Sequence, residues 1–292
     1  MKTTLLYIAV VLIWGSTWLA VGYQVGIVPP EASVAYRIGL ASILMFTWTI
    51  FRRLPLRFSL KEHLFMALQG ALIFSTNFFL FYHAAAYLTT GLIAVIFSTA
   101  SAMTMLINAV LTKQLPASKA ALGAIMGIVG IGTIFYEEFL NFSMESGALL
   151  GVLLSIGGTL AFSFGSIVSA SNRRKGFSVC GNSSWAMLYG SILLTLFLFF
   201  SGHSFAFDPH PPYVISLLYL SIVGSIFAFA AYFALLGRIE IEQAAYATVL
   251  FPIVALSLST LFEGYQWTAS AFAGVIFILM GNIMVNKRSK KN

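Results

Sequence analysis

The chain carries one apolar unit twice, and this duplication limits its fold more than any other feature. With residue n paired to residue n+150, Gly15 meets Gly165 and Tyr82 meets Tyr232. After one inserted residue the register continues through the pairs Gly123/Gly274 and Gly130/Gly281. Each copy reads as five apolar spans, so the second copy is expected upside down relative to the first. Inverted repeats of this kind are typical of proteins whose binding site lies where the two copies face each other.

The composition requires a membrane. Of the 292 residues, 59% are hydrophobic and only 9% are charged, whereas soluble domains carry about 25% charged residues. Residues 63–112 contain no Asp, Glu, Lys or Arg, a run that suits two membrane helices of about 20 residues. Barrel strands would alternate in polarity over about 10 residues, but these runs are apolar on every face. The predicted fold class is an all-α integral membrane protein.

Ten transmembrane helices are predicted, arranged as two inverted five-helix repeats. The repeats are expected at residues 1–140 (helices 1–5) and 141–292 (helices 6–10). The predicted spans are about 4–22, 32–51, 64–86, 91–111, 118–136, 147–170, 183–201, 213–236, 243–262 and 267–286. The first span is expected to be retained rather than cleaved, because Trp14-Gly15-Ser16 recurs as Phe164-Gly165-Ser166.

The basic residues predict the orientation. Numbered from the N-terminus, the even gaps and both termini hold every Lys and Arg except Arg37, and the odd gaps hold none. The positive-inside rule therefore places both termini in the cytoplasm, in a bacterial-type inner membrane. The odd gaps carry Glu31, Asp208 and Glu263, so Glu31 is expected in an outside loop. The net charge of +7 lies in short loops, which argues against a nucleic-acid partner.

Catalytic chemistry has no support in the sequence. The four histidines are scattered, and neither a zinc-protease HExxH motif nor a phosphate-binding loop occurs. Cys180 is the one cysteine, so no thiolate cluster can hold a metal. We expect no enzyme activity, no cofactor and no metal.

The chain resembles the ten-helix EamA-type exporters of the drug/metabolite transporter superfamily. The resemblance covers nearly the whole chain. The motifs that carry it are Trp14-Gly15-Ser16-Thr17-Trp18, Pro30 with Arg37, residues 77–87 (NFFLFYHAAAY), residues 232–238 (YFALLGR), Ala244-Ala245-Tyr246, Pro252 and Glu263. It implies export of small metabolites through a central cavity lined by both repeats. The chain departs from the family in having Ala102 where span 4 often has a proline, and Lys113 where that span often ends in an acidic residue.

Polar groups inside the spans are the first candidates for binding. Arg37 is the one formal charge well inside a span, either an interface anchor or part of an anion path or gate. His83, beside Tyr82, could couple export to protons or lie satisfied near the outer boundary. Asn77 needs a partner, either a neighbouring helix or a substrate. We place Asn77, Tyr82 and His83 among the substrate-binding candidates.

Aromatic and helix-breaking residues complete the candidate set. Trp14 and Trp18 share one face of span 1. Trp14 lies near midspan, where it could stack on a substrate or simply pack. Pro252 interrupts the hydrogen bonding of span 9 and suits a hinge. The binding set is Trp14, Thr17, Trp18, Asn77, Tyr82, His83, Tyr232 and Tyr246, and the gating or structural set is Arg37, Pro252, Gly15 and Gly165.

The resulting hypothesis is a secondary transporter of neutral, zwitterionic or aromatic metabolites, such as amino acids and amphipathic drugs. It would be driven by protons through His83 or run down the substrate gradient. The alternative is a channel or structural membrane protein. Lipid and substrate are the expected partners, and a monomer is expected because one chain supplies both repeats.

Overall fold

The computed structural model describes residues 3–113, 118–134, 136, 147–202, 204–228, 231 and 247–286. Within these residues all regular secondary structure is helical, which confirms the all-α prediction. We number the helical stretches in chain order: α1 (Thr3–Gly22), α2 (Pro30–Phe51), α3 (Leu60–Ala84), α4 (Thr90–Thr112), α5 (Ser118–Ile134), α6 (Ala148–Arg174), α7 (Val179–Ser201), α8 (Pro211–Phe227), α9 (Ala247–Phe262) and α10 (Ala269–Asn286).

Each predicted span overlaps one of these helices. Six of them (α1, α2, α3, α4, α6 and α7) are long and apolar enough to cross a membrane, and the other four are shorter apolar helices within the described residues. The chain is therefore an integral membrane protein by the length and composition of its helices. That all ten cross the membrane stays a prediction.

Several helix ends follow from local sequence. Pro30 opens α2, a position where the missing proline N–H would have had no helical partner. Ser59 and Glu62 form a capping box at the start of α3: the Ser59 hydroxyl accepts from the Glu62 N–H, and the Glu62 carboxylate accepts from the Ser59 N–H. Gly202 ends α7 in the left-handed conformation, at φ +73°.

Two helices change pitch in mid-course. A π-helical segment occupies Gly70–Thr76 within α3 and another occupies Tyr219–Phe227 within α8. Such segments are rare and often occur at functional sites. Adding 150 to the first segment gives 220–226, which falls inside the second. Both halves of the chain thus carry the same irregularity at equivalent positions.

Helix pairs join the two halves of the sequence. α2 packs along α7, and α5 packs along α10. At the second contact, a Cβ added to Gly130 would lie 2.7 Å from the carbonyl oxygen of Gly274, and one added to Gly281 would lie 2.5 Å from that of Gly123. Backbones this close leave no room for side chains, which explains the glycines.

The neighbours of α1 and α6 match as well. α1 packs against α9 and α8, whereas α6 packs against α4 and α3. A shift of 150 residues converts α4 into α9 and α3 into α8, so the two helices have equivalent partners. One buried apolar core contains residues of α1, α3, α4, α5, α6, α9 and α10, and a second contains residues of α1, α2, α3, α7 and α8. The polar candidates lie around these cores.

Candidate functional site

Arg37 is a buried cation between α2 and α3. The residue is only 5% exposed, so its side chain is enclosed by the neighbouring helices. Its guanidinium carbon lies 4.3 Å from the centre of the Phe78 ring, and Nη1 donates to the Tyr82 hydroxyl at 3.4 Å. Its Nε is buried without a hydrogen-bond partner. Among the described residues no carboxylate lies within ion-pair distance of Arg37.

A histidine faces a carboxylate on the same side of the fold. His83 Nε2 lies 3.4 Å from Glu31 Oε1, and the His83 ring packs 4.4 Å from that of Phe79. Glu31 was expected in an outside loop, but it lies in the first turn of α2 and is 2% exposed. The loop prediction was wrong because α2 begins at Pro30 and turns Glu31 inward. His83 keeps about a third of its side chain exposed, although its Nε2 atom is buried.

The middle of α1 faces the π segment of α8. The Ser16 hydroxyl lies 2.6 Å from that of Tyr219, and the Thr17 hydroxyl donates to the Trp14 carbonyl oxygen at 2.7 Å. A Cβ on Gly224 would lie 2.7 Å from Thr17 Cγ2. Thr17, which is partly buried, therefore lines the same helix contact as Ser16 and Tyr219, whereas the partly buried Trp14 packs against two buried apolar clusters. The sequence prediction missed the Ser16–Tyr219 pair. Tyr219 begins the π segment of α8, which occupies the position equivalent to the π segment of α3.

Trp18 lies in an aromatic cluster rather than on an open face. It is 8% exposed and its ring packs 5.3 Å from Phe81, 5.5 Å from Phe97 and 6.4 Å from Phe251. These four rings come from α1, α3, α4 and α9. In this conformation Trp18 holds the four helices together, and Trp14 is the more accessible of the two tryptophans.

The remaining described candidates lie at helix contacts. Asn77 is buried and its Nδ2 donates to the Gly158 carbonyl oxygen of α6 at 2.9 Å, so a neighbouring helix supplies a partner. A Cβ on Gly15 would lie 2.5 Å from Val254 Cβ, and one on Gly165 would lie 2.4 Å from Ile73 Cγ1. Pro252 is buried inside α9, close to the Gly15 contact. Tyr232 and Tyr246 lie outside the described residues.

α4 is interrupted although it has Ala102 at the position where span 4 of the related exporters often has a proline. Ser98 and Thr99 separate its two parts, Thr90–Phe97 and Ala100–Thr112. Their hydroxyls donate to the carbonyl oxygens of Val95 and Ile96, each at 2.7 Å. Hydroxyl bonding of this kind loosens a helix. Asn282 of α10 donates to the Ser98 hydroxyl at 3.0 Å, so the interruption is held by a second helix.

Comparison with known proteins agrees with this architecture. The family pattern of EamA-like transporters matches residues 1–136 and 149–287. A Bacillus subtilis (strain 168) protein named uncharacterized transporter YoaV is 24% identical over 97% of this chain and 96% of its own length. A Salmonella typhimurium (strain LT2) protein named probable amino-acid metabolite efflux pump is 23% identical, over 96% of this chain and 93% of its own. One solved structure superposes with TM-score 0.67 at 16% identity, over 97% of this chain and 95% of that one, which shows the fold alone.

The apolar helices and the polar residues buried between them define a membrane transport protein. Because the family pattern covers both halves, the chain belongs to the EamA-like transporter family of the drug/metabolite transporter superfamily.

Proposed function

We propose that this protein is a secondary exporter of small neutral, zwitterionic or aromatic metabolites, amino acids among them, working by alternating access. The observation that carries the proposal is the equivalence of the two halves. The π segments, the partners of α1 and α6, and the paired contacts Gly130–Gly274 and Gly123–Gly281 all repeat with the duplication. Two equivalent halves can exchange conformations, and that exchange opens a shared site to one side and then the other.

The proposed repeats are residues 1–140 and 141–292, with ten membrane crossings, opposite orientations and both termini in the cytoplasm of an inner membrane. Support comes from the family pattern, which matches two stretches near these bounds, and from the distribution of basic residues. A single chain would then supply a complete inverted pair and act as a monomer.

The substrate class is proposed from the α1 face. Trp14, Thr17, Ser16 and Tyr219 offer an aromatic surface and hydroxyls without fixed charge, which suits an amphipathic molecule with a flat apolar part. The name of the Salmonella typhimurium relative, an amino-acid metabolite efflux pump, points to the same class.

A counterflow assay tests the exporter. Proteoliposomes are loaded with a mixture of unlabelled amino acids and then exposed to one labelled amino acid at a time. Transient accumulation of label is expected, because a carrier exchanges substrate whereas a channel only equilibrates it. The Trp14→Ala variant should reduce accumulation, and Trp48→Ala, at an exposed position of α2, should not. Absence of counterflow for every amino acid would contradict the proposed class.

Proton coupling through His83 and Glu31 is the proposed energy source. The pair joins a partly exposed imidazole to a buried carboxylate, and such a pair could hold and pass on a proton. In proteoliposomes with an imposed pH gradient, His83→Ala and Glu31→Gln should each remove the pH dependence of flux. If the pH dependence survives in His83→Ala, protons are not coupled through His83.

A further inference from the structure

Among the described residues, no carboxylate supplies the counter-charge that the buried guanidinium of Arg37 needs. A guanidinium carries five N–H donors, and among the described side chains only the Tyr82 hydroxyl accepts from it, at 3.4 Å. Nε is buried without a partner. A buried charge is costly unless it is paired and hydrogen-bonded, so the site is built for an acceptor that the described residues do not supply.

The fold itself does not need a cation at this position. The residue 150 positions further on is Met187, which is 1% exposed in the core shared by α2, α3 and α7. An unbranched apolar side chain of similar length therefore fills the equivalent place in the second half. A structural role for Arg37 would predict a polar residue there too, whereas a binding role needs the charge in one half only.

We infer that Arg37 binds the carboxylate group of the transported molecule, which narrows the proposed substrate class to carboxylate-bearing amphipathic molecules. This inference rests on the proposed exporter function. A planar carboxylate accepts two parallel hydrogen bonds from a guanidinium, and it would replace the long contact to Tyr82 and satisfy Nε. The Phe78 ring beneath the guanidinium extends the site with an apolar surface for the rest of the molecule.

The geometry favours a monovalent carboxylate over a lipid headgroup. A phospholipid phosphodiester and a carboxylate each carry one negative charge, so depth rather than charge separates the two. Arg37 lies seven residues into α2, roughly 10 Å along the helix axis from its first residue. A lipid headgroup confined to the membrane interface would not reach Arg37, but a small soluble acid can reach it along the substrate path.

The experiment is a thermal-unfolding assay of the purified full chain with benzoate and L-phenylalanine as probes. The matched controls are benzamide and L-phenylalaninamide, which lack the carboxylate, and sodium chloride fixes the ionic strength. We expect the two carboxylates to raise the apparent melting temperature and the two amides to leave it unchanged. Equal shifts with acid and amide, or no shift with either acid, would overturn the inference.

The variant Arg37→Met supplies the side chain found at position 187 and should fold. It should weaken apparent carboxylate affinity by about tenfold or more, since it removes a charge-assisted hydrogen bond. Trp48→Ala, at an exposed position of the same helix, keeps the guanidinium and should keep the response. An unchanged carboxylate shift in Arg37→Met would overturn the inference. If Arg37→Met does not fold, the same assay is made with Arg37→Gln. The difference between acid and amide in the unmodified protein then tests the inference as well.

The two proposals fail separately. Counterflow that is equal for amino acids and their amides would leave the exporter standing and remove the carboxylate site. A carboxylate shift that is lost in Arg37→Met, together with no counterflow for any amino acid, would establish the site and remove the exporter.

Discussion

The carboxylate of Glu263, at the end of α9, caps the first turn of α4 through Thr90. It accepts from the Thr90 N–H at 3.0 Å and from the Thr90 hydroxyl at 2.8 Å, and it also accepts a short bond from Ser259. A negative charge at a helix N-terminus meets the positive end of the helix dipole. The end of one helix thus fixes the start of another that lies 173 residues away in the sequence.

The capping contact predicts a graded loss of stability. Glu263→Ala should cost about 2–3 kcal/mol, because it removes charge-assisted hydrogen bonds from partly buried donors. Thr90→Val should cost less, since the backbone N–H of residue 90 still donates to Glu263, and Thr90→Ser should be nearly neutral. Thermal unfolding in detergent measures all three. Equal losses in Glu263→Ala and Thr90→Ser would contradict the capping role.

The glycine contact between α5 and α10 predicts a contrast within a single helix. Gly130→Ala should destabilise the protein, because its Cβ would lie 2.6 Å from Ile278 Cγ1 and 2.7 Å from the Gly274 carbonyl oxygen. Gly132→Ala is the control: nothing lies within 4 Å of its added Cβ, and alanine favours helix by about 1 kcal/mol over glycine. A lower melting temperature for Gly130→Ala and an unchanged or higher one for Gly132→Ala are expected. Similar melting temperatures for both variants would refute the contact.

The two tryptophans of α1 should respond differently to removal. Trp18→Ala should cost about 3–5 kcal/mol, since it empties the centre of the Trp18–Phe81–Phe97–Phe251 cluster. Trp14→Ala should unfold at nearly the wild-type temperature and yet bind substrate more weakly. Thermal unfolding and counterflow on the same preparations separate the two effects. Intact transport in Trp14→Ala would show that the α1 face does not bind substrate.

The interruption of α4 predicts a variant with altered rate. Ser98→Ala removes the hydroxyl that bonds to Val95 and accepts from Asn282, so α4 should straighten and its movement should slow. We expect the maximal counterflow rate to fall severalfold while the half-saturating substrate concentration changes little. Thr112→Ala is the control, because its hydroxyl makes the same kind of bond at the exposed end of α4. A purely structural interruption would instead change stability and leave the rate unaltered.

Much of the fold follows from the sequence because membrane helices are encoded locally. The run free of charges over 63–112 predicts the helices α3 and α4, and the duplication predicts glycine positions that meet at the α5–α10 contact. The interior of each helix was less predictable. The π segments and the Ser98–Thr99 interruption arise where a helix adapts to its neighbours. A membrane span is apolar along its whole length, so its hydropathy does not indicate where such a change of pitch occurs.

The sequence alone determined the class of protein, the rough position of the described helices, and the candidate residues Arg37 and His83. Hydropathy and a lone charge in an apolar run can be read without knowing which residues pack together. Tertiary structure decided which groups meet. It turned Glu31 inward to His83, joined Ser16 to Tyr219, paired Asn77 with Gly158 and, within the described part of the chain, left Arg37 with one weak acceptor. These contacts link residues as many as 203 positions apart. They depend on how each helix is rotated about its axis, which packing fixes and an apolar sequence does not encode.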